Sequence, residues 1–355
     1  MPRLLVYTDA TSFGGAEASL GNLIGALHPD IETAVLGTDA TIVAAIAARR
    51  PSTPTHLVPP VRDKRDLGPI VAHVRALRRL RPDICHLNLR TPYSCQYGLL
   101  AAHSARGVRV VAVEHLPFAT QHPVTRWLKR MSCRPLAAHV AVGEHAARLI
   151  EQEARLRAGS VRTIYNGVPD DQIEPLPRLA EGLVVGSVGR LDEQKAYDVL
   201  IAALPSLPDV SVVLVGDGPA RAKLEELARH HGVADRVILT GWQAEARRYL
   251  GGFDVFVLPS RYEGLPLSII EAMLARLPVV ATDVGSVSEC VLEGETGAVV
   301  PPDDGKRLAE TIRTLLESAE LRMRMGEQGR ERAISLFSVD AMARSYEHLY
   351  AEILA

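Results

Sequence analysis

Short runs of aliphatic and β-branched residues alternate along the chain with longer segments in which apolar residues recur every three to four positions. The first such pair is Leu4–Thr8 and Ala16–Leu27, joined by a glycine-containing turn. Short apolar runs predict buried strands, and a period near 3.6 residues predicts helices. The chain therefore begins with a strand followed by a helix, the unit from which parallel sheets are built.

The same alternation continues through the first half of the chain. Helix-length segments, among them Leu67–Leu80 and Pro92–Arg106, separate most of the predicted strands. The further strands predicted here are Thr33–Leu36, His56–Val58, Ile84–Leu87, Val108–Val113, His139–Val142 and Val161–Ile164. Strands that alternate with helices indicate a parallel, doubly wound sheet.

The alternation lapses around residues 165–183, where Pro169, Pro175 and Pro177 fall close together. Proline-rich polar sequence between two periodic regions is typical of a linker. We therefore predict an N-terminal domain over residues 1–168 and a C-terminal domain over residues 183–336.

The second half repeats the alternation and predicts a second Rossmann-like sheet. The predicted strands are Leu183–Val188, Val210–Val215, Val237–Thr240, Val255–Leu258 and Val279–Ala281. The helices predicted between them are Tyr197–Leu204, Ala220–His231 and Leu267–Ala275. After Pro301 and Pro302 only helices are predicted, over Gly305–Ala319, Leu321–Leu336 and Val339–Leu354. We treat residues 337–355 as a separate C-terminal helix.

Length and composition agree with this organisation. The chain has 355 residues and a mass of 38.5 kDa, which predicts two domains, with one large barrel as the alternative. Apolar residues make up 47% and charged residues 23%, an ordinary globular composition that excludes an intrinsically disordered chain. The four cysteines are too widely spaced for a close-spaced zinc pair, so we expect reduced, buried thiols.

No apolar run approaches the roughly 20 residues that span a bilayer, and Glu17 stands where a signal peptide would be cleaved. We therefore expect a cytoplasmic protein. Residues 1–170 carry 21 Lys and Arg against 13 Asp and Glu, whereas residues 171–355 carry 19 against 29. A basic half is typical of contact with an anionic surface or ligand, and solvated charged faces are the alternative. We expect no nucleic-acid partner.

One segment of the basic half has the pattern of an amphipathic helix. Its apolar positions are Val124, Trp127, Leu128 and Met131, and its basic positions are Arg126, Lys129, Arg130 and Arg134. Basic amphipathic helices that contain Trp lie on anionic lipid surfaces. The hypothesis is peripheral contact of this helix with the inner membrane face. The alternative is a helix whose apolar face packs on the protein's own sheet.

Candidate site residues lie in the loops that follow the strands. Parallel sheets bind ligands outside the carboxyl ends of their strands, so we expect a site in a cleft between the two domains. The first loop contains Gly14 and Gly15, which would let backbone amides approach a phosphate, although any tight turn can use such a pair. The loop does not match the G-x-G-x-x-G dinucleotide fingerprint.

Two cations, Arg190 and Lys195, follow the first strand of the second half. A guanidinium and an ammonium at a strand end can neutralise a diphosphate leaving group. A solvated pair of charges is the alternative, and the position at the carboxyl end of a strand favours function.

The segment Pro259–Met273 carries the densest signal. Glu263 lies in the turn after a strand, and Glu271 lies eight residues later on the following helix. Two carboxylates on either side of a helix N-terminus suit the hydroxyls of a sugar, while the helix dipole favours phosphate. Because apolar residues surround Glu271, its carboxylate needs a partner or a ligand.

These motifs resemble the retaining glycosyltransferases of the GT-B fold, family four, also known as glycosyl transferases group 1. The matching segments are GGAE, GRLDEQK, PSRYEGLPLSIIEAM, PVVATDVGS and the closing FSVDAM. The resemblance runs the full length and implies two Rossmann-like, doubly wound parallel-sheet domains that face each other across a cleft. The first domain would bind the acceptor, the second would bind the donor, and the final helix would cross back to the first.

The resemblance also assigns roles to single residues. Gly15 resembles the glycine whose amide meets the donor phosphate, and Arg190 and Lys195 resemble the diphosphate clamp. His115 resembles a histidine beside the transferred sugar, with a core histidine at a strand end as the alternative. The sequence departs from the family at Ala196, where glycine usually follows the lysine.

The remaining roles fall on the segment after the fourth strand of the second half. Glu263 resembles the residue that holds the hydroxyls of the donor sugar, with the backbone of Gly264, Leu265 and Pro266 beside it. Glu271 resembles the residue that bonds the ribose. Leu265 and Pro266 resemble the family members that use UDP-sugars more than those that use GDP-mannose.

The activity implied is transfer of a hexose from a nucleotide sugar to a sugar or lipid-linked acceptor hydroxyl, with retention, in polysaccharide or glycolipid assembly. The departing phosphate oxygen would help to deprotonate the acceptor, so no enzyme nucleophile is required. No Asp-x-Asp occurs in the chain, so we expect neither a metal nor a cofactor, with cationic side chains and helix ends at the diphosphate instead. A GT-B sugar-nucleotide epimerase and a non-catalytic sugar-nucleotide-binding subunit are the alternatives.

Overall fold

The structure is a computed structural model, and it describes residues 2–118 and 123–355. The chain divides into two compact units. The first unit contains Met1–Pro169 together with Ser338–Ala355, and the second contains Asp170–Phe337. The last helix of the chain therefore belongs to the first unit, as the predicted fold requires.

A parallel sheet of seven strands forms the centre of the first unit, in the order β3-β2-β1-β4-β5-β6-β7. Its central strands are rich in Val, Leu and Ile that are buried, which is the composition of strands covered on both faces. The strands are β1 Arg3–Thr8, β2 Glu32–Gly37, β3 Thr55–Leu57, β4 Ile84–Leu89, β5 Arg109–Glu114, β6 Ala138–Ala141 and β7 Val161–Thr163. The order reverses between β1 and β4, and such a switch point is where open α/β sheets bind ligands.

Helices connect these strands. They are α1 Gly15–Ala26, α2 Ala40–Ala47, α3 Leu67–Leu80, α4 Gln96–Ser104, α5 Pro123–Cys133 and α6 Glu144–Ala154. The predicted helix over Pro92–Arg106 begins later, because Cys95 adopts a left-handed backbone conformation (φ 59°) and its amide donates to Asp9 Oδ2 at 2.7 Å. This contact holds the start of α4 against the end of β1.

The second unit repeats the arrangement with six parallel strands, in the order β10-β9-β8-β11-β12-β13. The strands are β8 Leu183–Val188, β9 Val210–Val215, β10 Val237–Leu239, β11 Val255–Leu258, β12 Val279–Thr282 and β13 Gly297–Val300. The helices are α7 Tyr197–Ala203, α8 Arg221–His230, α9 Leu267–Leu274, α10 Val287–Cys290, α11 Gly305–Glu317 and α12 Ala319–Phe337. The switch point here lies between β8 and β11.

Among the strands and helices named for the second unit, β13 and the short helix α10 were not predicted from the sequence. The strand β13 was not predicted, because its four residues begin with a glycine and are soon followed by two prolines. Pro266 immediately precedes α9 and has an extended backbone. As predicted, Glu263 lies before the first residue of α9 and Glu271 lies within the helix.

The helix α13, Val339–Leu354, packs on α1 in the first unit. The Ser338 side chain accepts a hydrogen bond from Ala341 N at 3.2 Å and so caps the helix. Tyr346, Leu349 and Tyr350 are buried. Phe337, the first residue of the predicted C-terminal segment, lies instead at the end of α12 in the second unit.

Candidate active site

Two loops meet at the switch point of the second sheet, one after β8 and one after β11. Lys195 Nζ lies 2.6 Å from Glu263 Oε1, and the Ser260 hydroxyl donates to the same oxygen at 2.7 Å. The side chains of Lys195 and Glu263 are 15% and 6% exposed. An ion pair this well shielded is screened much less than a surface pair. The structure thus joins two residues that the sequence separates by 68 positions.

Gln194 links the same two loops through its side chain and its backbone. Its Nε2 donates to the Tyr262 carbonyl at 3.0 Å and to Glu263 Oε2 at 3.4 Å. Its carbonyl accepts from Arg261 N at 2.8 Å. Neither Gln194 nor Ser260 was assigned a role from the sequence, although both lie within the motif segments GRLDEQK and PSRYEGLPLSIIEAM. The Glu263 carboxylate is therefore held at both oxygens.

Arg190 occupies a different position from Lys195. Its guanidinium lies 2.5 Å from Asp192 Oδ2, and its side chain is 60% exposed. The other oxygen of Asp192 accepts from Lys195 N at 3.2 Å. Asp192 therefore fixes the conformation of the loop through contacts with both residues. The binding of a diphosphate by Arg190 and Lys195 stays a prediction.

The backbone of the loop after β8 explains two of its small residues. A Cβ on Gly189 would lie 2.7 Å from the hydroxyl of Tyr197, which is buried, so a side chain there would displace the start of α7. Ala196 has a left-handed backbone (φ 51°, ψ 37°), a conformation that glycine adopts without strain. The departure from the family at Ala196 therefore preserves the loop conformation while adding a methyl group.

Glu271 lies in the second turn of α9 and is half-buried. The segment before the helix, Gly264, Leu265 and Pro266, is buried. The Gly264 carbonyl accepts from Ser286 N at 2.9 Å, so the loop after β12 supports this segment from the other side. The backbone predicted to lie beside the donor sugar is thus fixed by neighbouring loops.

In the first unit, the candidate residues Gly15 and His115 follow β1 and β5, the two strands that flank β4 at the switch point. Gly15 is the first residue of α1, and the Gly14 amide donates to Glu17 Oε2 at 3.1 Å. Glu17 is fully buried, and within the described residues its Oε1 has no hydrogen-bond partner. Burial raises the pKa of Glu17, and the nearby Arg90 partly opposes that rise. Gly15 therefore stands where the sequence predicts, at the positive end of a helix.

His115 follows β5 and is half-buried. Its Nε2 lies 2.7 Å from Asn88 Oδ1, and Asn88 Nδ2 donates to the Ala16 carbonyl at 3.2 Å. Loss of surrounding water lowers the pKa of His115 to about 4. Asn88 was not predicted as a site residue; its signal in the sequence is a polar residue near the end of a buried strand.

A buried ion cluster lies immediately before His115. Glu114 is fully buried, and its Oε1 accepts from Lys129 Nζ and, at 2.7 Å, from His139 Nε2. Burial would raise the pKa of Glu114, but the two cations outweigh it and lower the pKa to about 2. Burial would likewise lower the pKa of His139, but Cys133 and Glu114 raise it to about 9. At neutral pH the cluster is charged, and Lys129 ties α5 to the end of β5.

The orientation of α5 excludes one of the two alternatives drawn from its sequence. Its apolar residues are exposed rather than packed on the sheet: Val124, Trp127, Leu128 and Met131. Lys129 faces the protein, as does Arg126, whose Nε donates to the Glu153 carbonyl at 3.0 Å. Arg130 and Arg134 are exposed. The helix therefore presents an apolar surface with two cations to its surroundings.

Within residues 2–118 and 123–355, no group of three or more His, Cys, Asp or Glu side chains is arranged to hold a metal ion. None of the helices in this part of the chain is long and apolar enough to cross a bilayer.

Comparison with known proteins gives consistent matches over both units. The family model for glycosyl transferases group 1 matches residues 170–332, and that for glycosyltransferase family 4 matches residues 13–172. Alpha-D-kanosaminyltransferase of Streptomyces kanamyceticus is 32% identical over 273 residues, which cover 69% of this chain and 70% of the relative. A second relative is a GDP-mannose-dependent alpha-(1-6)-phosphatidylinositol monomannoside mannosyltransferase of Mycobacterium tuberculosis. It is 29% identical to this chain, over 97% of this chain and 96% of the relative.

Among solved structures, the UDP complex of HepE from Anabaena superimposes with a TM-score of 0.87. The match covers 99% of this chain and 100% of that chain at 22% identity. The structure of TarM matches with a TM-score of 0.82 over 99% of both chains, at 14% identity. This likeness, together with the two parallel sheets, confirms the GT-B fold predicted from the sequence.

Proposed function

Because the chain belongs to the glycosyl transferases group 1 family, we propose that it transfers a hexose from a nucleotide sugar to an acceptor hydroxyl with retention of the anomeric configuration. A UDP-sugar is the favoured donor, on the resemblance of Leu265 and Pro266 to UDP-sugar enzymes. The acceptor is a sugar or a lipid-linked sugar in polysaccharide or glycolipid assembly. The protein works in the cytoplasm and needs no metal and no cofactor.

The observation that carries this proposal is the contact between Lys195 and Glu263 at the switch point of the second sheet. In our proposal the ammonium is shared between this carboxylate and a diphosphate, and the carboxylate accepts hydrogen bonds from sugar hydroxyls. Gln194 and Ser260 hold that carboxylate from two further directions. Such a preorganised group stabilises charge in a transition state without reorganisation during the reaction.

In the proposed reaction, the bond between the anomeric carbon and the phosphate oxygen breaks, and a bond from the acceptor oxygen forms on the same face. The acceptor proton passes to the departing phosphate oxygen, so the nucleoside diphosphate leaves with that proton. Lys195 and Arg190 offset the negative charge that develops on the diphosphate. Glu263 positions the sugar and stabilises its developing positive charge rather than attacking it.

His115 contributes from the first unit as a neutral hydrogen-bonding group. Because the pKa of His115 is about 4, its imidazole is uncharged near pH 7. A neutral ring can accept a hydrogen bond from a hydroxyl of the transferred sugar. Gly15 supplies a backbone amide at the N-terminus of α1 to a donor phosphate oxygen.

We assign the exposed face of α5 to contact with an anionic membrane surface. Trp127 and its apolar neighbours are exposed beside Arg130 and Arg134, and the residues before 171 carry a surplus of basic side chains. An apolar helix face flanked by cations suits insertion into the headgroup region of anionic lipid. This position would bring the first unit to a lipid-linked acceptor.

The test combines donor binding with product analysis. Thermal shift with UDP-, GDP- and ADP-sugars is expected to show the largest increase in Tm for a UDP-sugar, because ligand binding stabilises the folded state. Incubation of that donor with sugar and lipid-linked acceptors is expected to give a product whose anomeric configuration matches the donor. Excess EDTA is expected to leave the rate unchanged.

Each contrary outcome contradicts a separate part of the proposal. An epimerised sugar nucleotide formed from the donor alone would assign an epimerase. Donor binding without turnover on any acceptor would indicate a non-catalytic subunit. A product of inverted configuration would exclude retention, and a rate lost in EDTA and restored by Mg²⁺ would exclude the metal-independent mechanism.

A further inference from the structure

Asn88 connects His115 to the first turn of α1. The side chain of Asn88 is buried at the end of β4, its oxygen lies 2.7 Å from His115 Nε2, and its nitrogen donates to the Ala16 carbonyl. We infer that Asn88 is a positioning residue that fixes both the tautomer and the direction of the His115 ring. This inference rests on the proposed function in one respect, which is the role given to His115.

The tautomer follows from the donors and acceptors around Asn88. The Ala16 carbonyl can only accept, so the atom of Asn88 that faces it must be the amide nitrogen. The amide oxygen then faces His115 Nε2 and can only accept, so Nε2 carries the proton. In a neutral imidazole the remaining nitrogen, Nδ1, is an acceptor. Asn88 thereby keeps Nδ1 available for a sugar hydroxyl.

The position of Asn88 explains why a carboxamide suits this site better than a carboxylate. An aspartate at residue 88 would still accept from Nε2, but it would face the Ala16 carbonyl with a second acceptor. It would also favour the charged imidazolium, in which Nδ1 is a donor and can no longer accept from a hydroxyl. A carboxamide holds the ring and keeps it neutral. The arrangement also ties the direction of the ring to Gly15, next to Ala16 in the first turn of α1.

Two kinds of measurement test the inference. In protein labelled with ¹⁵N-histidine, with His115→Ala used to assign the signals, wild type is expected to show the proton of residue 115 on Nε2. Asn88→Ala is expected to give a mixture of tautomers. Asn22→Ala is the matched control, because Asn22 on α1 also loses a buried amide hydrogen bond, from its Nδ2 to the Gly167 carbonyl at 2.9 Å.

The second measurement is a double-mutant cycle in steady-state kinetics. Asn88→Ala and His115→Ala are each expected to lower kcat roughly tenfold, while the KM of the donor stays within about twofold of wild type. The kcat of the double variant is expected to be no lower than that of His115→Ala alone. Asn22→Ala is expected to lose a similar amount of thermal stability while keeping kcat. Asn88→Asp is expected to retain the proton on Nε2 without restoring kcat, because its ring is charged.

The outcomes separate this inference from the proposed function. An unchanged tautomer in Asn88→Ala, or a further loss of kcat when Asn88→Ala is added to His115→Ala, would overturn the positioning role. If His115→Ala keeps full kcat, the proposed role of His115 fails instead. The labelled spectra then still decide whether Asn88 holds the ring. Should Asn88→Ala fail to fold, Asn88→Asp and the wild-type spectrum decide the tautomer.

Discussion

The Tyr350 hydroxyl lies 2.7 Å from His86 Nδ1, so the last helix of the chain is hydrogen-bonded to the interior of the first sheet. His86 is on β4, and the ring of Tyr346 also lies against it, with centroids 5.3 Å apart. All three side chains are buried. The residues that end the sequence are therefore part of the core of the first unit, although they follow the whole of the second unit along the chain.

Removal of the final helix is expected to destabilise the first unit strongly, because it uncovers β4 and α1. Tyr350→Phe isolates the hydrogen bond and is expected to cost about 1 kcal/mol, since the hydroxyl leaves but His86 stays buried. Differential scanning calorimetry of full-length protein, Tyr350→Phe and a chain ending at residue 337 measures both effects. His348→Ala, at a position on the same helix outside this cluster, is the control. Unchanged melting of the truncated chain would show that the helix is only a tail.

Stability is expected to fall as the pH drops below about 6.5. Burial, with a smaller effect of His115, lowers the pKa of His86 to about 3, whereas an unfolded histidine keeps its usual value near 6.5. The unfolded chain therefore binds a proton that the folded chain does not, and folding loses about 1 to 2 kcal/mol from this group between pH 6.5 and pH 5. Urea midpoints at pH 7, 6 and 5 measure the loss.

The double variant His86→Phe and Tyr350→Phe removes both polar groups while keeping aromatic packing. Between pH 7 and pH 5, its free energy of unfolding is expected to fall less than that of wild type. Part of the slope remains, because the pKa of His115 is also lowered. Equal slopes in the two proteins would show that His86 does not contribute.

The sequence predicted strand positions well because buried parallel strands are short apolar runs bounded by turns. It predicted the neighbours of Glu263 less well, because Gln194 and Lys195 reach that residue through folding of two distant loops. The sequence pattern of α5 predicted an apolar face and a basic face, but not which of them is exposed and which faces the protein. That direction depends on Glu114, which draws Lys129 inward and leaves Trp127 outside. Both the environment of Glu263 and the exposed face of α5 are determined by contacts between residues far apart in the sequence. Such contacts leave no pattern in the residues nearby along the chain.

Lys195→Ala is expected to lower kcat by roughly 100-fold with a smaller change in donor KM, because the charge it offsets is largest in the transition state. Steady-state kinetics with the donor identified by thermal shift measures this. Lys223→Ala, an exposed lysine on α8, is the matched control and should keep full activity. Full activity in Lys195→Ala would remove this residue from the site.

Glu271→Gln is expected to weaken nucleotide binding about tenfold, because a carboxylate accepts stronger hydrogen bonds from ribose hydroxyls than an amide oxygen does. Isothermal titration with the free nucleoside diphosphate gives the Kd without any need for an acceptor. Glu226→Gln on the exposed face of α8 is the control for a change of surface charge. Equal affinity in Glu271→Gln and wild type would contradict contact with the ribose.

The exposed face of α5 is expected to bind anionic vesicles in a manner that depends on salt and on Trp127. Cosedimentation with vesicles that contain phosphatidylglycerol at low salt should retain the wild-type protein, because each cation near such a surface contributes about 1 kcal/mol and the indole favours the interface. Trp127→Ser should reduce binding, since the Trp127 side chain is 59% exposed on this face.

Trp242→Ser is the matched control for that experiment, because Trp242 is 75% exposed but lies after β10 in the second unit. Arg130→Gln combined with Arg134→Gln should lower the salt dependence while leaving the fold intact, since both side chains are exposed. If the protein binds neutral vesicles but not anionic ones, the apolar residues of α5, and not its cations, drive membrane binding. If wild type fails to sediment with anionic vesicles at low salt, membrane contact through α5 is wrong, and a water-soluble acceptor becomes the substrate to test.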